Sequence, residues 1–231
     1  MMRYTKALIV GAGPGLSASL ARVMAREGLK VALAARDPAK LSTLSKEIGA
    51  DSFSCDATDP GQVSRLFEEV ERKTGSPDFV IYNASARARG PFISLSADDV
   101  EKALRVSAYG GFLVAQQAAR RMLSLGYGAI FFTGASASVK GYPESAPFAM
   151  GKFALRGLAQ SMARELAPKG IHVAHFVIDG GIRSSARQES PDKPDSMLDP
   201  DAIAETYLCI LRQHRSAWTW EVELRPWLEK F

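Results

Sequence analysis

The chain has 231 residues, 46% of them hydrophobic and 23% charged, a balance that excludes a disordered or fibrous protein and suits one sizeable globular domain. Its 29 basic and 25 acidic residues leave a formal charge of +4 scattered along the chain, without the basic block that tracks a nucleic-acid backbone. Cys55 and Cys209 match neither a metal spacing nor a disulfide framework, and no apolar run approaches the ~18 residues that span a bilayer, so a cytoplasmic protein with no membrane or nucleic-acid partner is expected.

Short apolar runs then alternate with longer segments whose apolar residues recur three or four apart. Residues 7–10 predict a strand and 16–27 a helix. Strands at 30–34, 52–54 and 79–82 follow, separated by helices at 41–48 and 62–73. Helical stretches at about 100–125 and 148–166 precede strands at 129–133 and 172–178. This order predicts a Rossmann-type α/β fold, a three-layer, doubly wound parallel sheet of about seven strands, in a single domain over 1–231. Residues 182–201 break the alternation; they are polar, contain Pro191, Pro194 and Pro200, and predict a mobile loop over a substrate. The end of the chain predicts an edge strand and a closing tail. Its Trp218, Trp220 and Trp227 are expected in the core or a subunit contact, because a base-stacking platform would interleave them with cations. His172 and His175 stand three apart in a strand and therefore on opposite faces, so no metal site is expected.

Chemistry concentrates first at Gly11, Gly13 and Gly15, between the first strand and the first helix. Glycines there permit unusual dihedrals and a close backbone approach to a pyrophosphate, while the helix start offers unpaired N–H groups. Gly11, Gly13, Pro14, Gly15 and Leu16 are accordingly expected to cradle a dinucleotide. The end of the second strand selects which one. Ala35 occupies the place of the carboxylate that would chelate ribose hydroxyls, and Arg36 follows, which favours the 2′-phosphate of NADP(H). Asp37, if turned back toward the ribose, would favour NAD(H) instead.

These features resemble the short-chain dehydrogenase/reductase family over nearly the whole chain. Gly11 and Gly15 match the first two glycines of the family's Gly-x-x-x-Gly-x-Gly turn, and Ser17 replaces the third. The resemblance implies an adenine contact for Asp56 beside Ala57, and a place in the cofactor site for Asn83 and Ala84 of YNAS, where Ser85 replaces a glycine. In IDGGIRS, Asp179 replaces a proline, and the segment of Gly180 and Ile182 is implied to face the nicotinamide carboxamide.

The family's Tyr-x-x-x-Lys pair reads FAMGK. Lys152 is implied to bind the nicotinamide ribose, but Phe148 occupies the tyrosine position, and a phenyl ring transfers no proton. Ala135 stands in the serine position with Ser136 adjacent, and Ser107 in the asparagine position. Tyr142 and Ser136 are the candidate substitute proton donors if the loop between strand and helix curls over the nicotinamide, although packing beside Pro143 is the favoured reading of Tyr142; Tyr109 lies near Ser107, yet helical spacing suits it equally well to an interface. The resemblance implies an NADP(H)-dependent oxidoreductase acting on a small carbonyl or alcohol through an atypical site, and the alternative is a catalytically silent NADP(H) sensor that works through partners. It also implies a homodimer or homotetramer formed through the helices at 100–125 and 148–166, the second of which carries Phe153, Leu155, Leu158, Met162 and Leu166.

Overall fold

A computed structural model describes residues 4–230, so only 1–3 and 231 of the expected 1–231 domain lie outside the described residues. The strands are β1 (Lys6–Val10), β2 (Lys30–Ala35), β3 (Asp51–Ser54), β4 (Phe79–Tyr82), β5 (Gly128–Thr133), β6 (Ile171–Ile178) and β7 (Glu221–Leu224). They form one sheet in the order β3-β2-β1-β4-β5-β6-β7, every neighbouring pair parallel. The main helices are α1 (Leu16–Arg26), α2 (Ser42–Ile48), α3 (Pro60–Thr74), α4 (Ala97–Leu104), α5 (Gly110–Leu125), α6 (Ala146–Leu166) and α7 (Pro200–Leu211). The expected doubly wound three-layer architecture is therefore present.

Strand alternation sorts the core into two layers. Ile9, Leu33 and Phe131 face α1 and α7 with Leu20, Met24 and Tyr207, while Leu8, Val80 and Phe132 face the other layer with Phe67, Val114 and Leu155. Both faces of β4, β5 and β6 are buried, which is why these strands read as unbroken apolar runs. His172 and His175 do lie on opposite faces of β6. The first stacks on Trp218 with ring centroids 4.7 Å apart, and Nδ1 of the second lies 3.1 Å from Glu221 Oε2. Strand order reverses between β1 and β4, and the carboxyl ends of the strands at such a point leave a crevice for a ligand.

Two helical regions differ from expectation. The stretch at 100–125 is not one helix: α4 gives way to a π-helical turn, Arg105–Tyr109, before α5 begins. The widened turn displaces a backbone carbonyl from the regular ladder, and the Tyr82 hydroxyl donates to that of Val106. Helix α7 was not expected at all, although Asp199 caps it by accepting from the Asp201 N–H at 2.8 Å and Pro200 opens its first turn. Within the 182–201 segment, Ile182 bridges to Leu198, and Arg183 pairs with Glu189 and Asp199, so the base of the loop is pinned. The C-terminal tail reaches this loop through Trp227, which is 73% exposed and not in the core; its indole N–H donates to Pro194 O at 3.3 Å.

The apolar residues of α6 divide between the sheet and solvent. Leu155 and Leu166 are buried against the sheet, Leu158 and Met162 pack at its edge, and Phe153 stays exposed together with Met150. Tyr109 and Phe112 add a stacked, exposed aromatic pair on the neighbouring helical stretch, with ring centroids 6.3 Å apart. Self-association through these side chains is expected, because water-facing aromatic surface is lost only by covering it. Light scattering at micromolar concentration should show a dimer or larger, and Phe153→Asp combined with Phe112→Asp should shift it toward monomer. A strict monomer in the unmutated protein would refute this.

Candidate functional site

A cleft of about 630 Å³ opens at the carboxyl ends of β1, β2 and β4, lined by Gly11, Gly13, Pro14, Arg36, Asp56 and Asn83, among others. Gly11 is obligatory twice over: its φ is +84°, and a Cβ there would collide with the Ala84 backbone. Asn83 locks this junction, its N–H donating to Val10 O at 2.8 Å and its Nδ2 to Gly11 O at 3.3 Å. Gly13 requires another explanation. Its φ lies outside the left-handed region and a Cβ would meet no protein atom within 4 Å, yet it faces the cleft. The glycine keeps room for a group laid against the backbone, as a pyrophosphate would be. Ser17, in the third glycine position, is buried and staples the turn: its hydroxyl accepts from the Gly13 N–H at 2.8 Å and lies 3.1 Å from Gly13 O. Gly15 and Leu16 sit at the start of α1 behind the cleft lining, with no side chain capping the helix.

At the outer end, Arg36 is exposed beside Lys40, and both line the cleft. Asp37 is occupied. Its carboxylate accepts from the Ala39 N–H at 3.2 Å and pairs with Lys40 Nζ at 3.5 Å, capping the short helical turn Pro38–Leu41. Asp56 is held from both sides: its Oδ1 accepts from Thr58 N–H at 2.9 Å and Thr58 Oγ1 at 2.8 Å, while its own N–H donates to Gln62 Oε1 at 2.9 Å. Ala57 and Ala84 share this cleft.

A second cavity, of about 410 Å³, brings Ser136, Tyr142, Phe148 and Gly180 together. Beside it Lys152, 2% exposed, donates from Nζ to Thr133 O at 2.7 Å. Burial pushes its ammonium down to about 7, and the charge of Arg87 adds to the effect. Phe148 is 6% exposed and clusters with Ala135 and Ala137. The Arg87 guanidinium lies 4.1 Å from its ring centre, and Lys152 Nζ lies 5.9 Å away.

Other residues singled out in the sequence have structural partners. Ser107 is fully buried in the π turn, its hydroxyl accepts from the Ala86 N–H at 3.3 Å, and its Cβ would lie 2.7 Å from one added at Gly151. It holds the segment after β4 against α6. The Ala135 N–H donates to Ser138 Oγ at 3.1 Å. Tyr109 is exposed and lines neither cavity, and Ile182 is engaged in its bridge to Leu198. Asp179 pairs with Lys140 at 3.1 Å and Arg225 at 2.9 Å, tying the end of β6 to the loop after β5 and to the tail. Sequence reasoning missed Lys40, Arg87, Arg89 and Arg187 as cavity residues. The ARARG run after YNAS marked two of the arginines; nothing local marked the third.

Comparisons with known proteins agree with this geometry. Residues 5–195 match the family profile described as short chain dehydrogenase. The human 3-oxoacyl-[acyl-carrier-protein] reductase is 28% identical over 167 residues, covering 71% of this chain and 70% of that protein. An uncharacterized oxidoreductase of Staphylococcus aureus is 26% identical over 226 residues, 95% of this chain and 96% of the other. A short-chain dehydrogenase from Rhodopseudomonas palustris superimposes with a TM-score of 0.83 at 35% identity, covering 98% of this chain and 100% of that one. A metagenomic short-chain oxidoreductase solved with NADP gives 0.84 at 25% identity, covering 97% and 98%. With most of its length matched by the profile and its doubly wound sheet shared with these solved relatives, this chain belongs to the short-chain dehydrogenase/reductase family of oxidoreductases.

Proposed function

We propose that the protein is an NADP(H)-dependent oxidoreductase acting on a small carbonyl compound or the corresponding alcohol, with an active site rebuilt around Phe148. The observation that carries the cofactor choice is the end of β2: Ala35 offers no carboxylate, Arg36 and Lys40 line the cleft, and Asp37 is spent on capping. The NADP found with the metagenomic relative supports the same reading. In this reading Gly11, Gly13, Pro14, Gly15 and Leu16 take the pyrophosphate, Arg36 the 2′-phosphate, and Asp56 with Ala57 the adenine. Asn83 and Ala84 support the turn, Lys152 holds the nicotinamide ribose, and the backbone of Gly180 and Ile182 meets the carboxamide.

The bound cofactor supplies or accepts hydride. The chain must place the substrate carbon and deliver or remove a proton at its oxygen. Phe148 does neither, so the proton falls to a hydroxyl of the second cavity, that of Tyr142 or Ser136. The 182–201 segment serves as the mobile substrate cover, moving over its pinned base.

Tighter binding of NADP(H) than NAD(H) is the expected result. A charge-assisted bond to the 2′-phosphate contributes ~1.5–3 kcal/mol, roughly tenfold to a hundredfold in affinity. Fluorescence titration of Arg36→Ala should show most of that preference lost with NAD(H) affinity unchanged. Equal affinities in the unmutated protein would overturn the NADP(H) assignment.

A further inference from the structure

We propose that the second cavity recognises an anion, and that the carbonyl substrate therefore carries a carboxylate gripped by Arg87, Arg89 and Arg187. The inference rests on the oxidoreductase reading for the word substrate, but the anion site stands on its own observations. All three arginines line the cavity that also holds Ser136, Tyr142 and Phe148. Among the described residues, no carboxylate makes a salt bridge with any of them. Asp179, which shares the lining, is buried and paired with Lys140 and Arg225; Glu144 and Glu229 are the remaining acids of the lining.

Phe148 gives this arrangement a purpose. The ring that replaces a proton donor serves as a platform, with the Arg87 guanidinium held 4.1 Å from its centre. A guanidinium packed on an aromatic face loses side-chain freedom while its N–H fork still points outward, which is the geometry that grips a carboxylate through two parallel bonds. Burial depresses the Arg87 pKa, and Arg89 and Arg187 lie close enough to add to the effect by repulsion. Three guanidinium groups gathered in one cavity, with Glu144 and Glu229 in the same lining but, among the described residues, no carboxylate within salt-bridge distance of any of the three, cost free energy that a bound anion relieves. The cofactor's own phosphates do not account for the cluster, because the glycine turn and Arg36 line the other cleft.

The test uses the protein saturated with NADPH, with saturation checked by nicotinamide fluorescence. Acetoacetate and its methyl ester share one ketone and differ in charge; the acid should show at least a tenfold higher kcat/KM. Arg89→Gln and Arg187→Gln, separately and together, should erase the ratio, chiefly through KM, while leaving NADPH affinity unchanged. Equal use of acid and ester, or a ratio indifferent to both substitutions, would overturn the anion site and leave the oxidoreductase reading intact. If neither ketone turns over, calorimetric titration with succinate decides: binding that weakens at least tenfold in the double variant and fades with added salt supports the site, and no binding refutes it. Titration with methyl phosphate distinguishes the source of the anion, since tighter binding than succinate would overturn the carboxylate assignment. Failure to bind NADPH at all would instead overturn the functional reading.

Discussion

Replacing Phe148 with tyrosine is expected to raise reduction of a reactive dicarbonyl at least tenfold. A positioned general acid contributes ~10²–10⁴-fold, and in the proposed reading Phe148 stands where the family's tyrosine would supply one. The substitution adds one hydroxyl to a ring that already lines the second cavity. The Arg87 guanidinium lies 4.1 Å from the centre of that ring and Lys152 Nζ 5.9 Å away; the first, and the second while it is protonated, favour the phenolate and lower the pKa of the new hydroxyl. NADPH affinity should change little, because the glycine turn, Arg36 and Lys152 are untouched. Steady-state rates for Phe148→Tyr, Tyr142→Phe and Ser136→Ala check this. Robust native turnover abolished by Tyr142→Phe, with no gain from Phe148→Tyr, would show that the proton already comes from Tyr142. No turnover in any variant despite tight NADPH binding would favour the sensor.

The second large effect is on stability. In the cofactor-free protein, Lys152→Met is expected to raise Tm by several degrees at pH 7 and by much less at pH 10. Burial lowers the Lys152 pKa from 10.5 to about 7, so the charged form carries a folding penalty of a few kcal/mol. Below pH 7 both folded and unfolded chains hold that proton and the penalty is full. Between about 7 and 10.5 the unfolded chain binds more protons than the folded one, so the stability of the unmutated protein climbs with pH and the advantage of methionine shrinks. Losing the bond to Thr133 O offsets part of the gain, ~1–3 kcal/mol. Melting curves at the two pH values decide. A loss of stability equal at both would mean that the Thr133 bond outweighs the buried charge. The same variant should bind NADPH at least tenfold more weakly if Lys152 holds the ribose.

What the sequence determined by itself was the part written in local patterns. Apolar runs of strand length alternating with helical periodicity are enough to specify a parallel sheet covered on both faces. The glycine turn, Ala35-Arg36 and the spacing of Lys152 stood out as candidate features because each is written in residues near one another in the chain. Helix α7 was legible in principle, with Asp199, Pro200 and the apolar spacing of Ile203, Tyr207 and Ile210, but it was obscured by the polar, proline-rich run before it. The roles of the altered residues were not legible. That Ser17 staples the turn, that Ser107 clasps Ala86 and packs on Gly151, and that Asp37 is spent as a cap depend on which atoms meet in space. The arginine cluster is the clearest case: Arg87 and Arg89 follow β4, and Arg187 comes from the loop after β6. Only the crossover of the chain through the sheet brings them around Phe148, and electrostatic recognition depends on that distance in space, to which separation along the chain is no guide.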